Sequence, residues 1–221
     1  MTSSRTTEPD GGPALRLLSL GAGVQSTTVL LLACEGAIPR FDAALFADTG
    51  WEPRAVYANL ERLRLHAGKA GIPVRTVSSG NIRSDALDPK HRFVSMPLHA
   101  LNPDGSCGLA RRQCTSEYKI NPLKRAAREL LGYPHPRRVP PGTYAEQAIG
   151  ISTDEFTRAK DSGLLFLRNV FPLVLVALGS LSGSADAAWL RRRWPGLGDY
   201  ESHDRVHLDQ ISCWLKPHRS R

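Results

Sequence analysis

The stretch that most constrains this chain is Leu15-Arg-Leu-Leu-Ser-Leu-Gly-Ala-Gly-Val-Gln-Ser-Thr27. The apolar run Leu15-Arg-Leu-Leu18 at its start reads as a buried strand, and Val29-Leu-Leu-Leu-Ala33 beyond it reads as a helix ending near Gly36. A strand, a glycine turn rich in hydroxyls and a helix start together outline an anion site. Glycines let the backbone approach a phosphate, and the free N–H groups at the positive end of a helix face it. No Lys precedes Ser26, so the turn is not of the Walker type. Taken alone, such a turn equally serves many α/β folds as a purely structural connection.

The rest of the chain alternates. Strands are expected over 15–19, 43–47, 73–77 and 145–151, and helices over 26–35, 54–67 and 122–131, with a further helix at 154–160. Val56, Leu60, Leu63 and Ala67 recur at helical spacing, and Pro122 and Gly132 bracket the third helix. Residues 79–111, carrying Pro89, Pro97, Pro103 and Gly105, read as a long loop, and 133–142 as a stiff connector. Strand–helix alternation predicts an α/β fold with an open, mainly parallel twisted sheet and helices on both faces, Rossmann-like in type. Ligands of such sheets lie at the carboxyl ends of the strands. Ser19 to Ser26, Asp48 to Trp51, Ser78 and Ser152 to Glu155 all fall at expected strand ends.

Four segments carry a family resemblance. Ser19-Leu-Gly-Ala-Gly-Val-Gln-Ser26 resembles the S-G-G-x-D-S pyrophosphate (PP) loop of the adenine nucleotide alpha-hydrolase superfamily. Asp48-Thr-Gly-Trp-Glu-Pro53, Cys114-Thr-Ser-Glu-Tyr-Lys-Ile-Asn-Pro-Leu123 and Gly150-Ile-Ser-Thr-Asp-Glu-Phe-Thr-Arg158 resemble the D-T-G, C-x-x-x-x-K-x-x-P-L and G-I-R-x-D-E-S-x-x-R segments of its phosphoadenosine phosphosulfate (PAPS) reductase family. The matches run in order over roughly residues 15–173. The resemblance implies a nucleotide ligand, ATP or PAPS, and chemistry at the nucleotide's α-phosphate or its sulfated equivalent. It also raises Mg2+ as an accompanying ion. Gln25 departs from the usual Asp of the loop, and an amide cannot hold a cation as a carboxylate does.

On this reading Gly21, Gly23, Ser26 and Thr27 form the phosphate cradle, with Ser19 and Gln25 beside them among the nucleotide-binding residues; helix capping is the structural alternative for Ser26 and Thr27. Asp48 is placed to meet ribose, a metal or the loop, or else to close an Asx-turn with Gly50. Trp51 is set to cover a base or to pack in the core. Gly150 and Asp154 belong to the last matched segment, where Asp154 and Glu155 complement a helix start. Arg111, Arg112, Lys119 and Arg158 are the candidate phosphate or sulfate clamps, each with a solvated surface charge as its alternative. Asp48, Cys114 and Lys119 are the candidates for catalysis, Cys114 through a thiol pKa lowered by its cationic neighbours, with a buried inert cysteine as its alternative.

The formal net charge of +8, carried mostly by Arg, suits nucleotide or nucleic-acid partners. The four cysteines, Cys34, Cys107, Cys114 and Cys213, form no C-x-x-C pair, which argues against a zinc site or a redox dithiol. The paired cysteines that hold an iron–sulfur cluster in reductases of the family that the chain resembles are also missing, so no such cluster is expected. No apolar stretch is long enough to span a bilayer, and no leader segment is evident, so a reducing cytoplasm is expected. Residues 1–13 read as a disordered tail, 14–173 as the nucleotide-binding domain, and 174–221 as a poorly patterned extension. The extension fits either an aberrant or truncated ending or a divergent tail. The C-terminal E-C-G-x-x-H type segment with which PAPS reductases attack sulfur is unmatched by Ile211-Ser-Cys-Trp-Leu-Lys-Pro-His218. Three functions therefore stand: an ATP pyrophosphatase or adenylyl-transfer enzyme, a sulfonucleotide reductase relying on Cys213, and a nucleic-acid-associated module or inactive family member.

Overall fold

The computed structural model describes residues 12–91, 99–101, 103–109 and 115–174. Its centre is a five-stranded, all-parallel sheet of β1 (Leu15–Ser19), β2 (Ala43–Asp48), β3 (Val74–Ser78), β6 (Ala145–Ile149) and β7 (Leu167–Val170). The strands lie in the order β3-β2-β1-β6-β7. The helices are α1 (Val24–Cys34), α2 (Arg54–Lys69), α3 (Ile82–Leu87) and α4 (Asn121–Leu130). A π-helical turn, Thr115–Ile120, runs directly into α4, and a 3₁₀ turn, Thr153–Arg158, follows β6. A small antiparallel pair, β4 (His99–Leu101) with β5 (Cys107–Leu109), stands outside the main sheet.

The two-residue alternation of the strands divides the core. Leu18, Ala44, Phe46, Ala148 and Val170 face α1 and α2, meeting Val29, Leu30, Leu60, Leu63 and Ala67. Leu17, Ala43, Leu45, Ala145 and Leu167 face the other way, onto Leu123, Ala126 and Ala127 of α4. Helices thus cover both faces, the doubly wound α/β arrangement that strand–helix alternation predicts. Near-continuous apolar strands such as Ala43-Ala-Leu-Phe-Ala47 are what a sheet covered on both faces requires. Helix α1 carries polar residues from Gln25 to Thr28 and is then apolar and buried from Val29 to Ala33. Helix α2 lies at the edge of the core. It buries only Leu60, Leu63 and Ala67, and turns Glu61 and Arg62 to solvent.

Local boundaries differ from the sequence expectations. Helix α1 begins at Val24, two residues before Ser26, because Gly23 already has the extended backbone of a cap. β6 stops at Ile149, and the expected helix 154–160 is a 3₁₀ turn ending at Arg158. The expected loop 79–111 holds α3 and the β4–β5 pair. The edge strand β7 was not legible in the sequence. Among the described residues no helix is long and apolar enough to cross a membrane.

Candidate functional site

The chain steps outward from β1 to β2 to β3, then returns to the other side of β1 at β6. This reversal makes the carboxyl ends of β1 and β6 the sheet's switch point, the crevice position at which α/β sheets bind ligands. The turn after β1 and the turn after β6 meet there. A Cβ built on Gly150 would fall 2.6 Å from the Ser26 backbone nitrogen and 2.7 Å from the Gln25 carbonyl carbon. Gly150 is therefore required by close packing of β6's end on the first turn of α1.

The turn after β1 is held from within and from α2. Gly21 N–H donates to Ser26 Oγ at 3.1 Å, and that hydroxyl lies 3.3 Å from the Gly23 carbonyl oxygen. Ala22 has a left-handed backbone (φ 53°), and Asn59 of α2 donates to its carbonyl oxygen at 2.9 Å. Gly23 is the N-cap of α1, no side chain caps it, and the first helical turn holds no acidic residue. The N–H groups of a helix's first turn have no intrahelical acceptor, so this end of α1 is electropositive. Neither Ser26 nor Thr27 caps the helix. Thr27 Oγ1, one turn further in, is buried without a hydrogen-bond partner among the described residues. Gly21, Gly23 and Val24 are exposed, and nothing lies within 4 Å of a Cβ built on Gly23.

Gln25 bridges the crevice. Its amide nitrogen donates to Ser152 Oγ at 2.7 Å and to Glu155 Oε2 at 2.9 Å. The other oxygen of Glu155 accepts from Arg158 at 2.6 Å. The Gln25 hydrogen bond first, and Arg158 second, hold the Glu155 carboxyl below the usual carboxylate range. Asp154 is lowered chiefly by the Ser152 hydroxyl.

On the other side of β1, Asp48 Oδ1 accepts from Gly50 N–H and from the Tyr57 hydroxyl, each at 2.8 Å. The Asx-turn is thus present, and Tyr57 of α2 is a partner the sequence reading missed. Burial chiefly raises the Tyr57 phenol, and its bond to Asp48 adds to this. Lys119 Nζ lies 2.9 Å from Glu52 Oε1, which also accepts from Thr49 Oγ1 at 3.1 Å. Trp51 is 54% exposed rather than packed in the core, with the Arg83 guanidinium 6.0 Å from its ring centroid. Asn81 sets this arrangement. Its Oδ1 caps α3 at Arg83 N and Ser84 N, while its Nδ2 donates to the Gly50 carbonyl. Asn before a short helical segment was the available signal for α3; no sequence signal marked Asn59 or Tyr57.

Ser19, Gly21, Gly23, Gln25, Ser26, Thr27, Gly150, Asp154 and Arg158 therefore gather around the β1–β6 crevice. Asp48, Trp51 and Lys119 gather at the end of β2. Of the four clamp candidates, the two within the described residues, Lys119 and Arg158, each pair with a separate carboxylate. Arg111, Arg112, Cys114 and Cys213 lie outside the described residues, as do 1–11 and 175–221. Among the described residues, no cluster of three or more His, Cys, Asp or Glu could hold a metal ion. The donors nearest α1 also suit one poorly, because Gln25 presents N–H groups to the crevice. No protein-family model matches the chain, and no curated protein matches it.

Proposed function

We propose that this chain binds an adenine nucleotide across the carboxyl ends of β1, β2 and β6, and acts at its α-phosphate as an ATP pyrophosphatase or adenylyl-transfer enzyme. The observation that carries this reading is the uncapped start of α1, exposed at Gly23 and set at the sheet's reversal point. Four sequence segments resembling the PAPS reductase-like, PP-loop proteins support it, each contributing residues at these strand ends.

In this reading the polyphosphate lies over Gly21 to Ser26, against the N–H groups of the first turn. The base rests toward Trp51, the exposed aromatic ring beside the end of β2. Lys119 and Arg158 exchange their carboxylate partners for the ligand's charge. A substrate oxygen attacks the α-phosphorus, the bond to the bridging oxygen breaks, and pyrophosphate leaves with its electron pair. The N–H groups at α1 stabilise the charge on the departing pyrophosphate, as preorganised donors do.

Incubation with ATP and candidate acceptors tests the chemistry. Pyrophosphate release, abolished by Lys119→Ala, is the expected result. Thiol-dependent sulfite release from PAPS, lost in Cys213→Ser, would replace it with the reductase reading. Salt-sensitive nucleic-acid binding without turnover would replace both with a binding module.

A further inference from the structure

The Gln25 amide is unusual company for an anion site: it spends both N–H bonds on protein acceptors across the crevice. A carboxylate accepts and does not donate, so the atom 2.9 Å from Glu155 Oε2 is the amide nitrogen, and its second hydrogen goes to Ser152 Oγ at 2.7 Å. We infer that Gln25 closes the β1–β6 crevice as an uncharged cross-link, doing with two N–H bonds what a bridging cation would have to do for two facing carboxylates, so that the site takes its anionic ligand without a protein-held metal ion.

The chemistry of the neighbours carries this. A carboxylate in place of the amide would face Glu155 at hydrogen-bond distance, and like charges so close cannot both persist unaided. A proton or a hard divalent cation would have to sit between them. Two carboxylates and the Ser152 hydroxyl are the oxygen donors such a cation takes. The amide nitrogen, the atom of Gln25 turned toward Ser152 and Glu155, offers no lone pair, so the natural residue sets no oxygen against Glu155 and fixes the same two turns directly. Glu155 meanwhile keeps Arg158 on its other oxygen at 2.6 Å. Positive character at the crevice then comes from the start of α1 and from Arg158. The inference deepens the nucleotide reading, but the cross-link itself is testable with no nucleotide present.

The test is thermal unfolding of the full chain at pH 8, in chelator and in millimolar Mn2+ or Ca2+, with NaCl matched for ionic strength. Wild type is expected to melt at the same temperature in all three. Gln25→Glu, equal in length, should melt about 2–4 °C lower in chelator, the shift expected for loss of a modest interaction in a domain of this size, and recover with Mn2+ or Ca2+ but not with NaCl. Gln25→Ala should fall in chelator and recover with neither. A wild-type midpoint that rises with Mn2+ as far as the variant's overturns the inference. So does a Gln25→Glu chain as stable as wild type in chelator, or one indifferent to cations. If Gln25→Glu folds only when Mn2+ is added, the inference stands; if it folds in neither condition, the inference fails. A null ATP titration would count against the nucleotide reading and leave these outcomes untouched.

Discussion

Gly150 and Ser26, 124 positions apart in the chain, pack backbone against backbone: a Cβ on Gly150 would lie 2.6 Å from the Ser26 nitrogen. All the nearest atoms belong to the main chain of α1's first turn, so no side chain can swing aside. Gly150→Ala should therefore push β6 from α1 and cost about 1–3 kcal/mol, the usual range for overpacking. Gly21→Ala is the control, because its Cβ would meet only Ser26 Oγ at an ordinary 3.7 Å. Urea unfolding of the two variants checks the contrast; equal midpoints would show that the packing yields.

Asn81 fastens the turn after β2 to α3 through three hydrogen bonds. Loss of an N-cap side chain costs about 0.5–2 kcal/mol, and Asn81→Ala should fall in that range. It should also loosen Trp51 and Arg83, which lie on the two segments it joins. Trp51 fluorescence quenching by iodide should rise in the variant.

Glu52 holds Lys119 at 2.9 Å. The Lys119 side chain is about half exposed, so this pair adds little to stability, within about 1 kcal/mol. Its part in the proposed function is to be exchanged. Glu52→Gln should leave the unfolding midpoint nearly unchanged and tighten ATP binding. Lys119→Ala should weaken ATP binding roughly tenfold or more, since a hydrogen bond to a charged group is worth about 1.5–3 kcal/mol. Calorimetric titration of both variants separates this from a purely structural pair, for which neither would change affinity.

Tyr118 is buried at the π-helical turn, and its hydroxyl donates to Asp85 Oδ2 at 2.5 Å. Burial first, and the Asp85 hydrogen bond second, push the phenol up to about 12. The folded state thus keeps a proton that the unfolded chain releases near pH 10. Its contribution is complete below about pH 10 and declines as pH rises from there toward 12. Tyr118→Phe should be less stable at pH 8 by about 1 kcal/mol and show a shallower alkaline loss. Unfolding midpoints measured between pH 8 and 12 check both parts.

Much of this fold is legible in the sequence because burial on both faces leaves an unambiguous mark. Ala43-Ala-Leu-Phe-Ala47 and Leu15-Arg-Leu-Leu18 are apolar runs of strand length followed closely by glycine turns, and Leu60, Leu63 and Ala67 recur at the spacing of one helix face. The edge strand β7 carries Leu167-Arg-Asn-Val170, whose pairing on one side alone demands no apolar run. The hairpin of β4 and β5 hides among prolines. In the site, the glycines and the strand-end residues were visible as positions. Their partners were not, because Asn59, Tyr57 and Asn81 act by where the fold carries them. The Gln25 link to Ser152 and Glu155 spans more than 120 residues of sequence, and only the sheet's reversal at β1 brings its ends together.

The most direct test of the nucleotide reading is isothermal titration of ATP into wild type and Gly23→Val. Gly23 has an extended backbone that Val adopts readily, and its Cβ would meet nothing within 4 Å. The substitution should therefore cost no more than the exchange of one N-cap residue, about 1 kcal/mol or 2–4 °C in the thermal midpoint, while placing a branched side chain where the phosphates must approach. Measurable ATP binding to wild type, lost or weakened at least tenfold in Gly23→Val, is the predicted result. Equal affinity in the two proteins, or no binding of ATP, PAPS or adenylyl sulfate to wild type, would contradict the assignment of α1's start as a phosphate cradle.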